Sequence, residues 1–140
     1  MSYAQISDMI LRYGETELLE ISSTFGGSMD TINANAVNTA LAEASDEIDG
    51  YLRERYVTPV ATPTPKMTGV ACALARYALS VGGDSTPAEK VSNGHKSALS
   101  WLRSVKDGKV TLNGELLPNT SQDWSQVQTR APALGTGRFG

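Results

Sequence analysis

The sequence predicts an all-α protein: a small helical bundle, then a short hairpin or turn, then an extended C-terminal arm. Two long runs carry the prediction. From Asn33 to about Tyr56, Val37, Leu41, Ala44, Ile48, Tyr51 and Leu52 recur at gaps of mostly three and four. That spacing lines one face of a 3.6-residue helix. A second run, Pro65 to Val81, is small and apolar almost throughout. The third observation is punctuation. Gly14, Pro59, Gly82-Gly83 and Lys106-Asp107-Gly108 fall where the periodic runs stop, as helix terminators should.

Taken in order, Ile6 to Tyr13 reads as a short helix. Ser7 is the expected N-cap, Asp8 suits the positive first turn, and Gly14 is the left-handed stop. Glu15 to Ile21 follows as a second short helix, with Leu18, Leu19 and Ile21 apolar. Ser22 to Thr31 is a polar loop without strand alternation. Asn33 caps the long helix, taken here as about 34–56, and Thr58-Pro59 ends it. Gly50 lies inside that helix at a cost of about 1 kcal/mol relative to alanine. It implies a bend or the close approach of another backbone.

Val60 to Pro65 is a stiff connector. Thr64 with Pro65 reads as an N-cap and first helical residue. The helix 65–81 is the expected centre of the core. Thr86-Pro87-Ala88-Glu89 has the form of a capping box, so the next helix is placed at about 87–105, with Val91, Ala98, Leu99, Leu102 and Val105 on one face. Around 110–117, Asn113-Gly114 between apolar pairs signals a small hairpin or turn. From Pro118 the chain is rich in Gly, Pro, Ser, Thr and Gln and poor in core residues. The expected organisation is a helical domain, 1–117, and an arm, 118–140.

Charge is unevenly placed. Residues 1–55 carry ten acids against three arginines, a net of −7, and residues 56–140 carry nine bases against five acids, a net of +4. Such a chain can complement a copy of itself head to tail. Equally, both sets can be solvated helix faces. No run of apolar residues is long enough for a membrane helix, and the N-terminus lacks the form of a signal peptide. The single cysteine, Cys72, lies among Ala71, Ala73 and Leu74 and is expected to be a small buried residue. It has no partner for an internal disulfide, which suits a reducing cytoplasm.

The search for chemistry returns little. His95 is the only histidine, with no ligand or triad spacing around it. It is expected to be a partly buried structural residue. The glycine pairs lack the lysine of a phosphate loop. Carboxylates at Glu43 and Glu47, or Asp46 and Asp49, are routine on a solvated helix. No metal, cofactor or catalytic residue is expected. A DNA-binding or regulatory helical module is the alternative reading, because Lys90, Lys96, Arg103, Lys106 and Lys109 concentrate in and after the last helix. The acidic balance and the acidic start of that helix argue against it. Trp124 and Phe139 stand out as aromatics in the arm, natural anchors for a pocket on a partner.

Several stretches together resemble a known family. They are Leu11-Arg12-Tyr13-Gly14-Glu15 with Glu17-Leu18-Leu19, Ala40 through Leu52, and Arg55-Tyr56. Pro59, Ala71 through Tyr77, Ala98-Leu99 with Trp101-Leu102, and Arg138-Phe139-Gly140 continue the pattern. In order and spacing the chain resembles the Mu-type head completion, or head–tail adaptor, proteins of tailed phages and prophages. The loop at 22–33 departs from versions rich in Asp and Gly. The resemblance implies a non-enzymatic virion protein of the neck, made in the bacterial host. Copies would form a ring, twelvefold in the virion, beneath the portal protein and above a tail-side neck or tail-completion protein. DNA would pass through it without sequence-specific binding. The resemblance also implies an arm that reaches a neighbouring ring, and Trp124, Arg130, Arg138 and Phe139 are its expected partner-binding residues. Glu43, Glu47 and Glu54 are the expected channel-facing or subunit-facing residues.

Overall fold

A computed structural model describes residues 2–23, 30–82 and 86–112. The described residues form five helices and no strand: α1 Ile6–Tyr13, α2 Glu15–Ser23, α3 Ala34–Leu52, α4 Pro65–Val81 and α5 Glu89–Lys106. The fold is a small all-α bundle, as the periodicity predicts. The hairpin expected near 110–117 and the arm 118–140 lie largely or wholly outside the described residues. Of that stretch, Val110 and Leu112 pack against the core.

The helix α4 is the axis. It touches all four other helices, and Met67, Ala71, Cys72 and Ala75 are fully enclosed. Its many alanines let neighbours approach closely on several sides. The Thr64 Oγ1 accepts from the Met67 N–H at 3.2 Å, with Pro65 at the first helical position, as the sequence requires. The inner face of α3 is Val37, Leu41, Ala44, Ile48 and Leu52, all buried. Its cap forms as expected, with the Asn33 side chain accepting from the Ala36 N–H at 3.2 Å.

Four local expectations need correction. The long helix ends at Leu52, not Tyr56. A continued helix would set Tyr56 seven residues after Asp49, on the rim of the bundle. Instead the chain turns at 53–55 and carries the Tyr56 ring into the core, 2% exposed. There its hydroxyl accepts the Leu112 N–H at 2.9 Å. The cap of α1 is Gln5, not Ser7: the Asp8 carboxylate reaches back to accept the Gln5 N–H at 2.8 Å. The last helix begins at Glu89, with Ala88 at its cap and no side-chain capping bond. Pro87 and Ala88 stay outside the helix, where they line a cleft with Ile21 and Leu79. Finally, α2 runs to Ser23, past Ile21. Ser22 reads as a loop residue, yet it is wholly buried and its Oγ accepts the Asn33 N–H at 3.0 Å.

Two glycines have geometry only glycine takes easily. Gly14 has φ of +91° and separates α1 from α2 within one residue. Gly108, at φ +82°, closes α5 in a Schellman arrangement. Its N–H bonds the Val105 carbonyl at 3.0 Å, and the Lys109 N–H bonds that of Ser104 at 2.8 Å.

Candidate functional site

The N-terminal segment is fastened by one residue the sequence did not single out. Tyr3 is 3% exposed. Its N–H donates to the Ser45 Oγ at 2.9 Å, and its carbonyl accepts from the Thr68 hydroxyl at 3.0 Å. Its own hydroxyl accepts the Val60 N–H at 2.8 Å and donates to the Asp49 carboxylate. One tyrosine thus joins α3, the connector and α4. Burial, and then the hydrogen bond to Asp49, push its hydroxyl pKa up to about 12. No motif advertises this role. Only the long-range pairing reveals it.

A second polar knot joins α1, α2 and α4. Arg76 makes a two-pronged ion pair with Glu17, its Nη2 at 2.7 Å from Oε1 and its Nε also on Oε2. The guanidinium lies 4.1 Å over the Tyr13 ring. The bond to Glu17 is the main reason the Arg76 pKa rises, against the opposing effect of burial. Arg76 is therefore held by Glu17 and the Tyr13 ring.

The groups with chemical potential are all accounted for by packing. Cys72 is buried, and desolvation pushes its thiol up to about 11, outweighing the nearby Arg12. It is protonated at neutral pH and so a poor nucleophile. His95 lies flat on Tyr77, ring centroids 3.9 Å apart and planes within 8°. Among the described residues no group of three His, Cys, Asp or Glu could hold a metal. A cleft of about 370 Å³ between α2 and the facing ends of α4 and α5 holds Glu17, Glu20 and Lys90, but Arg76 already occupies Glu17. A groove of about 480 Å³ between α3 and α4 is floored by Ala36, Ala40 and Ala78, with Glu43 at its rim. Neither brings a nucleophile to a base.

What remains is the outer surface of the helices. Glu43, Asp46 and Glu47 are exposed on the side of α3 away from the core, and Glu54 is exposed in the turn beyond it. Gly50 is exposed on the same side. A Cβ built there would meet nothing within 4 Å, so the close backbone approach expected at Gly50 is absent among the described residues. On α5, Lys96 and Arg103 are exposed one above the other, seven residues apart. Trp124, Arg130, Arg138 and Phe139 lie outside the described residues. No described helix is long and apolar enough to cross a membrane.

The fold and this distribution define a small all-α protein whose distinctive chemistry is charge on its helix faces. The family described as "Bacteriophage Mu, Gp36" matches residues 3–130; the chain belongs to that family. It is 32% identical over 145 residues to "Gene product J" of Escherichia phage Mu, covering 100% of this chain and 99% of that protein. It is 24% identical over 136 residues to "Mu-like prophage FluMu protein gp36" of Haemophilus influenzae, covering 89% of this chain and 93% of that one. The Mu-type resemblance read from the sequence is thus correct at the level of the family.

Proposed function

We propose that this protein is a head–tail adaptor of the virion. Copies assemble as a ring, twelvefold, beneath the portal, extend the DNA channel, complete the head and present a surface for tail attachment. The observation that carries the reading is membership of the Mu Gp36 family over residues 3–130. The fold is consistent with it: polar clusters join helices to one another, and the outward faces of α3 and α5 hold charges without ion-pair partners among the described residues. The proposal assigns no catalysis and no cofactor. DNA slides past the ring without being read. The arm, with Trp124, Arg130, Arg138 and Phe139, is assigned to docking on a neighbouring ring, the portal above all.

The test is removal of residues 118–140, followed by mass measurement alone and with the portal. The full chain is expected to join a portal ring. The truncated chain is expected to keep its helical circular dichroism and lose docking. Undiminished docking, or loss of the helical fold, would refute the role of the arm. A gel shift at moderate salt addresses the DNA-binding alternative: a sequence-specific duplex complex would overturn the adaptor reading.

A further inference from the structure

The outer faces of α3 and α5 are opposite in net charge. On the outward side of α3 the exposed residues include Thr39, Ala42, Glu43, Asp46, Glu47 and Gly50. On α5 they include Asn93, Lys96, Ser97, Ser100 and Arg103, with Glu89 and Lys90 at its start, so the face is basic on balance. The only ion pair among the described residues is Arg76 with Glu17, so these charges have no ion-pair partner among the described residues. Three helices, α3, α4 and α5, each touch the other two. In such a triangle the outward sides of α3 and α5 diverge, and the two faces cannot meet within one chain.

We propose that the outer face of α3 is the docking surface for the outer face of α5 of a second copy. The match is specific in three respects. Glu43, Asp46 and Glu47 spread carboxylates over about 6 Å of helix and face Lys96 and Arg103, about 10 Å apart along theirs, a difference that long basic side chains can span. The small residues Ala42 and Gly50 on one side and Ser97 and Ser100 on the other let the two backbones approach. Gly50 then has its reason: a mid-helix glycine that nothing among the described residues requires leaves room for a neighbour. Each copy carries one acidic and one basic face on different sides, so the contact is heterologous. A heterologous contact propagates from copy to copy and closes into a ring when the rotation allows. This inference deepens the adaptor reading and rests on it for the ring. It assigns Glu43 and Glu47 to the subunit boundary and not to the DNA channel.

The experiment is sedimentation equilibrium of the full chain over a concentration series at low salt. Two charge reversals are compared, Glu43→Lys with Glu47→Lys, and Lys96→Glu with Arg103→Glu. All four positions are exposed, and circular dichroism verifies that each variant keeps its helices. The wild type is expected to self-associate, more weakly as salt rises. Each reversed variant alone should associate roughly tenfold or more weakly, because like charges then face each other. Mixing the two reversed variants should restore association, since every contact is again between opposite charges. Association of each variant equal to wild type, a mixture no stronger than its components, or a wild type that stays monomeric would overturn the interface. Failure of the adaptor reading looks different: the charge-swap rescue is obtained, but the protein is absent from the necks of tailed particles.

Discussion

Replacing Tyr3 with phenylalanine probes the tie that holds the N-terminal segment to the bundle. Phenylalanine keeps the ring and its burial, so the core loses only the oxygen. Two hydrogen bonds go with it. The Val60 N–H, in a residue 2% exposed, loses its acceptor at 2.8 Å. The Asp49 carboxylate, half-buried, loses its donor and regains some water. A buried N–H left without a partner costs about 1–3 kcal/mol, and a bond to a charged acceptor contributes a similar amount before rehydration. Tyr3→Phe is therefore expected to lower the unfolding free energy by about 2–4 kcal/mol, read from urea melts at neutral pH. The pH dependence sharpens the test. The Tyr3 pKa is raised from 10.0 to about 12 in the folded state. Its contribution is thus fully present below pH 10 and lost as pH rises toward 12. The gap between wild type and variant should be constant up to about pH 9, then narrow by roughly 2 kcal/mol between pH 10 and 12. A destabilisation under about 0.5 kcal/mol, or a gap that does not narrow, would refute the argument that this hydroxyl is a buried tie.

Three further outcomes are expected. Glu17→Ala should destabilise by about 1–3 kcal/mol in thermal or urea unfolding, because the Arg76 guanidinium is left partly buried with only the Tyr13 ring; the double variant with Arg76→Ala should lose less than the sum of the two single changes. Gly108→Ala should cost about 1–2 kcal/mol in the same assay. Its φ is +82°, and a Cβ would lie 2.8 Å from the Arg55 Nη2; the Arg55 side chain can swing away, so the backbone sets most of the cost. Gly50→Ala should raise the stability of the isolated protomer by up to about 1 kcal/mol, the helix-propensity difference, while weakening association of copies in sedimentation. Stabilisation with undiminished association would leave Gly50 without a role at the interface.

The sequence by itself determined the helices and their order. Periodicity at Val37, Leu41, Ala44, Ile48 and Leu52 and the small apolar run of α4 fixed which faces turn inward, since burial of an apolar stripe is the dominant local-to-global link. Caps at Asn33 and Thr64 and the glycine stop at Gly108 were legible because their geometry depends on near neighbours only. The same locality made the family visible, as an ordered set of short stretches. Other features rest on pairs far apart in sequence, and no local pattern encodes them. Tyr3 meets Asp49 and Val60 across 46 and 57 positions. Arg76 meets Glu17 across 59, in a partly buried knot. Tyr56 leaves the helical register because the core and the Leu112 N–H hold it better than the rim would. The outer face of α3 shows both sides of the division. Its acids could be counted from the sequence, but their lack of ion-pair partners among the described residues, the open space at Gly50 and the divergence of the outward sides of α3 and α5 follow only from how the helices pack around α4.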